Sequence, residues 1–477
     1  MILNADQEYV VQKAVNWFKY SDEPLFQYDG PPGSGKSVVL YEIIRRLGLN
    51  IDTEVAPMSF IGAASLVMRL HGFRNAKTIH SWIYDLKKTY RKDENGDIMY
   101  KDGEDKRNPY TSNKFHLKQK LDIDAKLIVI DEAYCMPRSM RADVESFGIK
   151  ILACGDANQL PPVNDYPAYL VDGPIYHLSQ IMRQIGIDDI IYLANRATLG
   201  IPLLNGYYGN SLVIDRENLT DEMLLWADVV ICGTNYTRDK LNAHIRYIKG
   251  YQGVLPNYGE KVVCRNNNWQ VHPMQKSMNR DINLVNGMIG TVCNQPNISS
   301  YNPKNKSVQI MLNCDMMQDC TFFCQANYDY LIGDFATRNI IRKRPFGRTQ
   351  LIEFAYAITC HIAQGSQFHK VIYIEEDMHP SIQTCLNLVG ITRADQQLIY
   401  VNKSDNPNWL SYNDPSIEAN FLAHNQRVIK SKMDALKRSK RKSSKYKTKR
   451  VKHSYQHRDR SRFNPKELYG EEGGEFD

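Results

Sequence analysis

The run Gly30-Pro31-Pro32-Gly33-Ser34-Gly35-Lys36-Ser37 narrows what this chain can fold into more than any other feature. It matches G-x-x-x-x-G-K-[ST] without a gap. Glycines let successive backbone N–H groups turn inward around an anion, and a helix starting behind them adds positive potential. The device works only between a strand and a helix. The apolar run Leu25–Tyr28 precedes it, and a helical pattern, Val38–Leu47, follows it. The sequence therefore predicts the strand–loop–helix of an α/β sheet. Gly30, Gly33, Ser34 and Gly35 cradle phosphate, Lys36 reaches the β- and γ-phosphates, and the Ser37 hydroxyl ligates Mg²⁺.

A phosphate loop of this kind needs an acid delivered by a neighbouring strand. Leu127-Ile128-Val129-Ile130 runs straight into Asp131-Glu132. Asp131 is placed to hold the hard cation and Glu132 to deprotonate an attacking water. ATP with Mg²⁺ is the expected cofactor pair, and hydrolysis the expected reaction. Similar short Val/Ile-rich runs recur at Ile151–Cys154, Val229–Cys232, Val371–Ile374 and Leu398–Val401, separated by helical patterns. That alternation predicts buried parallel sheets with helices on both faces.

Charge is informative by position. Lys and Arg number 60 against 53 Asp and Glu, for a net +7. Residues 427–462 alone hold 16 Lys/Arg and two acids, Asp434 and Asp459, so the rest of the chain is net negative. With no apolar periodicity beyond about residue 425, the segment 425–477 reads as a disordered basic tail with an acidic end. Such a tail binds phosphates without sequence preference, imports a protein to the nucleus, or docks an acidic partner. No apolar run approaches the ~18 residues of a membrane span, and the N-terminus lacks a secretory pattern. A cytoplasmic protein is expected, nuclear only if the tail is an import signal, with its ten cysteines reduced. Cys314, Cys320 and Cys324 lack the paired spacing of a zinc site.

Several further segments, in order, resemble superfamily 1 helicases of the RecD/Dda type over roughly residues 1–405. Leu3-Asn4-Ala5-Asp6-Gln7 resembles their Q motif, Ala56-Pro57-Met58-Ser59 with Ala63-Ala64 resembles motif Ia, and Thr78-Ile79-His80-Ser81 matches the segment after it. Gly155-Asp156-Ala157-Asn158-Gln159-Leu160-Pro161-Pro162-Val163 matches motif III, and Leu178 with Arg183 resembles motif IV. Thr359-Cys360-His361-Ile362-Ala363-Gln364-Gly365-Ser366 resembles motif V, and Val389-Gly390-Ile391-Thr392-Arg393-Ala394 matches motif VI. One position departs: motif V usually carries Lys where this chain has Ile362.

The resemblance implies two RecA-like domains with parallel sheets: 1A over 1–82 and 121–184, and 2A over 185–254 and 346–410. It further implies a small insertion, 83–120, bearing a pin or wedge, and a β-rich SH3-like insertion, 255–345. Asn95-Gly96 between two mixed runs is the hairpin signal within the first insertion. By the same resemblance Gln7 reads the adenine, Gln159 senses the γ-phosphate, Arg183 and Arg393 are arginine fingers, and Gly365 belongs to the nucleotide site. Pro57, Ser59, His80, Asn235, Thr359 and His361 are the strand-contact candidates. The implied activity is a monomeric ATP-driven motor moving 5′→3′ on single-stranded or forked DNA. A single-strand-binding protein or replisome component is a partner of such motors in replication, recombination or repair, and the compact form is phage-like. An RNA motor of the same superfamily and a non-translocating P-loop remodeller remain alternatives.

Overall fold

The computed structural model describes residues 3–90, 111–180, 188–268, 271–275, 282–296, 300, 302, 306–317, 320–342 and 349–404. Two six-stranded sheets dominate them. In the first the spatial order is Lys77–Thr78, Val55–Ser59, Leu127–Asp131, Lys150–Gly155, Leu25–Asp29, Ile175–His177, with every neighbour pair parallel. In the second the order is Ala357–Thr359, Val229–Cys232, Phe368–Ile374, Ala394–Val401, Ser211–Ile214, Gly206–Tyr208. It is parallel except for the last strand, which runs antiparallel.

The apolar runs form strands because both faces are covered. Residues of Leu127–Ile130 split between two cores, Leu127 and Val129 on one side of the sheet, Ile128 and Ile130 on the other. The second sheet is sandwiched likewise: Val229 and Ile231 face one core, Val230 and Cys232 the other. Each fully buried Val, Leu or Ile contributes about 1.5–3 kcal/mol. The fold is the expected α/β pair of RecA-like lobes.

Two boundaries differ from the sequence reading. The β-rich region is a five-stranded antiparallel sheet, ordered Thr321–Asn327, Ser307–Cys314, Ile289–Val292, Lys261–Cys264, Ile352–Phe354. Its last strand lies beyond residue 345, and the β-rich region also holds the helices Tyr328–Ile332 and Phe335–Arg342. Sequence distance hid the fifth strand, because a three-residue strand is too short for periodicity to mark.

The first insertion is a two-stranded ribbon, Tyr84–Tyr90 against Thr111–Leu117. A two-residue turn at Asn95-Gly96 requires Lys88 opposite Gly103, but Lys88 pairs with Asn113 and Tyr90 with Thr111. These strands are therefore not the arms of an Asn95-Gly96 hairpin, and the turn itself lies outside the described residues. Trp82, on the preceding helix, is buried and donates its indole N–H to the Pro57 carbonyl at 2.7 Å, so it is a packing residue; Trp269 lies outside the described residues. Among the described residues no helix is long and apolar enough to cross a membrane.

Candidate functional site: a nucleotide cleft between two lobes

The strand Leu25–Asp29 ends at the glycine loop, and the helix Lys36–Leu47 starts from it. Gly33 and Gly35 adopt left-handed φ of 85° and 83°, which a side chain strains. A Cβ on Gly35 would stand 2.5 Å from Gln7 Nε2, and one on Gly30 would stand 2.6 Å from Ser34 Oγ. The loop is thus a cradle that only glycine closes. Ser34 Oγ is buried without a hydrogen-bond partner, a donor that an anion in the cradle satisfies. Lys36 Nζ donates to the carbonyls of Gly30 at 2.8 Å and Pro31 at 3.2 Å, so the ammonium lies across the loop mouth.

Gln7 departs from its expected role. Its Oε1 accepts from Asn4 N at 3.1 Å in a capping box, and its Nε2 donates to the Ser34 carbonyl at 3.0 Å. Both ends of the amide are engaged, so Gln7 braces the phosphate loop from behind rather than presenting an edge to a base. The capping-box spacing, Asn4 to Gln7, was readable as a helix start; the long-range bond to residue 34 was not.

Asp131 ends its strand beside Ser59 and accepts from the Glu132 N–H at 2.9 Å. Glu132 takes a left-handed φ of 53° directly after the strand. Burial and the adjacent Asp131 push its carboxyl up to about 7, although Lys36 and Arg393 pull the other way. Burial also raises Asp156, which Lys36 partly offsets. Asp156 anchors Gln159, whose Nε2 donates to Asp156 Oδ2 at 3.3 Å. Gln159 Oε1 is buried and unpartnered in the cleft.

Arg393 comes from the other lobe. It is buried and held by three bonds inside its own lobe: Nε to the Val389 carbonyl at 3.2 Å, Nη1 to the Ser366 carbonyl at 3.2 Å, and Nη2 to Thr392 Oγ1 at 3.1 Å. Burial lowers its pKa, and the charges that oppose this most are Glu132 and Asp156 of the first lobe. The guanidinium therefore faces the acid cluster that also feels Lys36. Gln364 makes a second crossing, donating to Cys135 Sγ at 3.4 Å and the Leu160 carbonyl at 3.5 Å. Leu160, a first-lobe residue, packs into the second lobe's core. Cys135 and Asp156 are the cleft residues that sequence reasoning gave no role; nothing local in their motifs marks a contact across lobes.

The remaining expected residues separate. Arg183 lies outside the described residues. Gly365, φ 78°, presses against Ala64 of the first lobe, where a Cβ would stand at 3.1 Å, so its glycine serves a close approach between lobes rather than the phosphate cradle. Ile362 is buried in the second lobe's core, so packing replaces the charge usual there. Pro57 and Ser59 are buried; the Pro57 carbonyl is taken by Trp82, and Ser59 Oγ accepts from Ile61 N at 3.3 Å. Neither can meet a strand as it stands. Thr359 is buried at a strand end, His361 is exposed two residues on, and Asn235 Oδ1 accepts from Arg238 Nη1 at 2.7 Å.

His80 alone of the six lines a groove of about 280 Å³. Its ring lies 6.0 Å from Phe60, 5.7 Å from Tyr84 and 5.3 Å from Phe115. Burial lowers its pKa, so it stands neutral at pH 7. Arg69 and Lys77 line the same groove, and His272, Asn283 and Val285 close it from the β-rich region. Rings interleaved with cations fit single-stranded nucleic acid. The ribbon residues Tyr84 and Phe115 were missed because ring partners 31 residues apart leave no sequence pattern.

Fold and site together define a P-loop NTPase with two RecA-like lobes. Residues 2–196 match the family described as an AAA domain. No curated protein matches the chain. Among solved structures, the Pif1 helicase from Candida albicans is similar at 18% identity and TM-score 0.46, over 86% of this chain and 99% of that one. The Pif1 helicase from Bacteroides in complex with ADP-AlF3 and ssDNA is similar at 15% identity and TM-score 0.47, over 87% and 97%. An Arterivirus nonstructural protein 10 (helicase) with DNA is similar at 12% identity and TM-score 0.32, over 84% and 65%.

Proposed function

We propose that this chain is an ATP-driven superfamily 1 helicase that moves 5′→3′ along single-stranded DNA and unwinds duplex ahead of it. The observation that carries the reading is Arg393, a buried second-lobe guanidinium bonded to its own motif loops and close enough for its charge to act on Glu132 and Asp156 of the first lobe. A cation delivered across a cleft stabilises transferred phosphoryl charge only while the lobes are closed. Nucleotide state then sets the distance between lobes, which is what a hinge motor needs.

In this reading the Gly30–Gly35 backbone and Lys36 bind the phosphates, and Ser37 with Asp131 offers oxygen ligands for Mg²⁺. Among the described residues no group of three or more His, Cys, Asp or Glu forms a metal cage. That donor set suits Mg²⁺, which keeps most of its shell from water and phosphate. Glu132 takes the proton of the attacking water, and Gln159 senses the γ-phosphate through its Nε2 amide, while its free Oε1 can accept a hydrogen bond from that water. The groove beside His80 and Phe115 takes the strand, its bases stacked on rings. The tail at 427–462 adds sequence-independent affinity, and forked DNA is the natural substrate.

ATP turnover with poly(dT), with poly(U) and with neither tests the reading. Stimulation by poly(dT) is expected. Stimulation by poly(U) alone selects an RNA motor, and stimulation by neither selects a non-translocating remodeller.

A further inference from the structure

We propose that the apolar edge of the second lobe is the dock for this chain's own segment Trp409-Leu410-Ser411-Tyr412. The dock is the outermost strand of the second sheet, Gly206–Tyr208, together with the end of the helix Asp188–Thr198 and the loop between them. Leu199, Leu204 and Tyr207 are 74%, 67% and 84% exposed. Tyr207 belongs to the edge strand itself, Leu204 to the loop leading into it, and Leu199 follows the end of the helix. Tyr208 donates its hydroxyl to the Leu204 carbonyl at 3.0 Å and stacks on Tyr192 at 5.9 Å, and Arg196 covers the Tyr192 ring at 5.7 Å. Beside them, among the described residues, the outer edge of Gly206–Tyr208 has no neighbouring strand. An unpaired edge with large apolar side chains is what proteins ordinarily cover.

The chain's own path selects the occupant. The strand Ala394–Val401 lies third from the edge, next to Ser211–Ile214. It delivers Asn402 directly to the dock: Asn402 Nδ2 donates to the Leu203 carbonyl at 3.3 Å and to Asn205 Oδ1 at 2.9 Å. Trp409 follows seven residues later, a reach of up to about 23 Å when extended. Two strand spacings are only about 10 Å. Trp409, Leu410 and Tyr412 are the first large apolar residues after the strand and sit just before the basic run; they lie outside the described residues. In an extended segment Trp409 lies on one face and Leu410 and Tyr412 on the other, so an added edge strand would bring an apolar side chain to both faces of the sheet. A tether this short supplies a local concentration on the order of mM, so a modest contact suffices and no second molecule need be present.

The test uses the full-length chain. Trp409 emission is isolated as the difference between the unaltered protein and Trp409→Phe. Docking predicts emission typical of an apolar site, shielded from iodide at every protein concentration. Leu204→Asp combined with Tyr207→Ser, both at exposed positions, should release it with a several-fold gain in quenching. Leu410→Asp, which alters nothing within the described lobe, should release it equally. The proposal is overturned if Trp409 in the unaltered chain quenches as freely as the free amino acid, or if its shielding survives the paired substitution. Shielding that disappears on dilution also overturns it, since a second copy would then be the occupant. None of these readouts depends on nucleic acid or ATP, so they stand apart from the helicase reading.

Discussion

Glu132 offers the sharpest test of how the cleft works. Its carboxyl rises from an ordinary 4.5 to about 7, first from burial and then from Asp131, with Lys36 and Arg393 opposing. That rise corresponds to about 3 kcal/mol against ionisation. If Glu132 is the general base, only its ionised form works, so kcat/KM for ATP should rise with pH and level off above about 7. At pH 6 about a tenth of the free enzyme is then competent. Arg393→Gln removes a charge that favours ionisation, so the limb should move to higher pH while turnover drops on the order of 10³-fold. Arg393→Lys keeps the charge and should leave the limb near its original place, even though the planar fork is lost. The assay is steady-state ATP hydrolysis at fixed saturating poly(dT) across the pH range. A profile already flat at pH 6, roughly a unit below the expected limb, refutes the assignment. So does an Arg393→Gln enzyme whose limb does not move.

Other perturbations follow from the same geometry. Glu353 is 3% exposed among Arg238, Arg265 and Arg342; burial pushes its carboxyl up, but the arginines outweigh it and hold it at about 2. Its ionised form therefore stabilises the fold at neutral pH, a contribution lost as pH falls from about 4.5 toward 2. Glu353→Gln should cost about 3–5 kcal/mol in urea unfolding at pH 7, and a midpoint matching the unaltered protein contradicts this. Gly35→Ala, at φ 83° with its Cβ 2.5 Å from Gln7 Nε2, costs at least ~1–2 kcal/mol of backbone strain. It should weaken binding of a fluorescent ATP analogue about tenfold or more; unchanged affinity counts against the cradle. Replacing residues 91–100 by a Gly-Ser linker should spare poly(dT)-stimulated turnover and abolish unwinding of a forked duplex, whereas equal loss of both removes the wedge role. Deleting residues 427–462 should flatten the salt dependence of DNA binding and leave turnover without DNA intact.

Chemistry carried by contiguous residues was legible in the sequence. The phosphate loop, the acid after Leu127–Ile130 and the runs that became parallel strands depend on neighbours within about ten positions, where steric rules and burial act locally. The order of motifs also indicated two lobes. What the chain's order could not say is which side chains meet across them. Arg393 facing Glu132, Gln364 reaching Cys135, and Gly365 pressed on Ala64 join residues more than 200 positions apart, and each contact exists only once two separate cores have formed. The same holds for residues whose surroundings differ from what their motifs suggest. Pro57 and Ser59 look like contact residues in a motif, but sheet packing buries them and Trp82 claims the Pro57 carbonyl. Gln7 looks like a base reader, but the phosphate loop folds onto it. Asn95-Gly96 lies outside the described residues, and the pairing of Lys88 with Asn113 shows only that the described strands are not its immediate arms. Local propensity therefore decided the elements and the phosphate chemistry. Long-range packing decided which faces stay open to a strand, because only in the closed fold do distant residues compete for the same few buried partners.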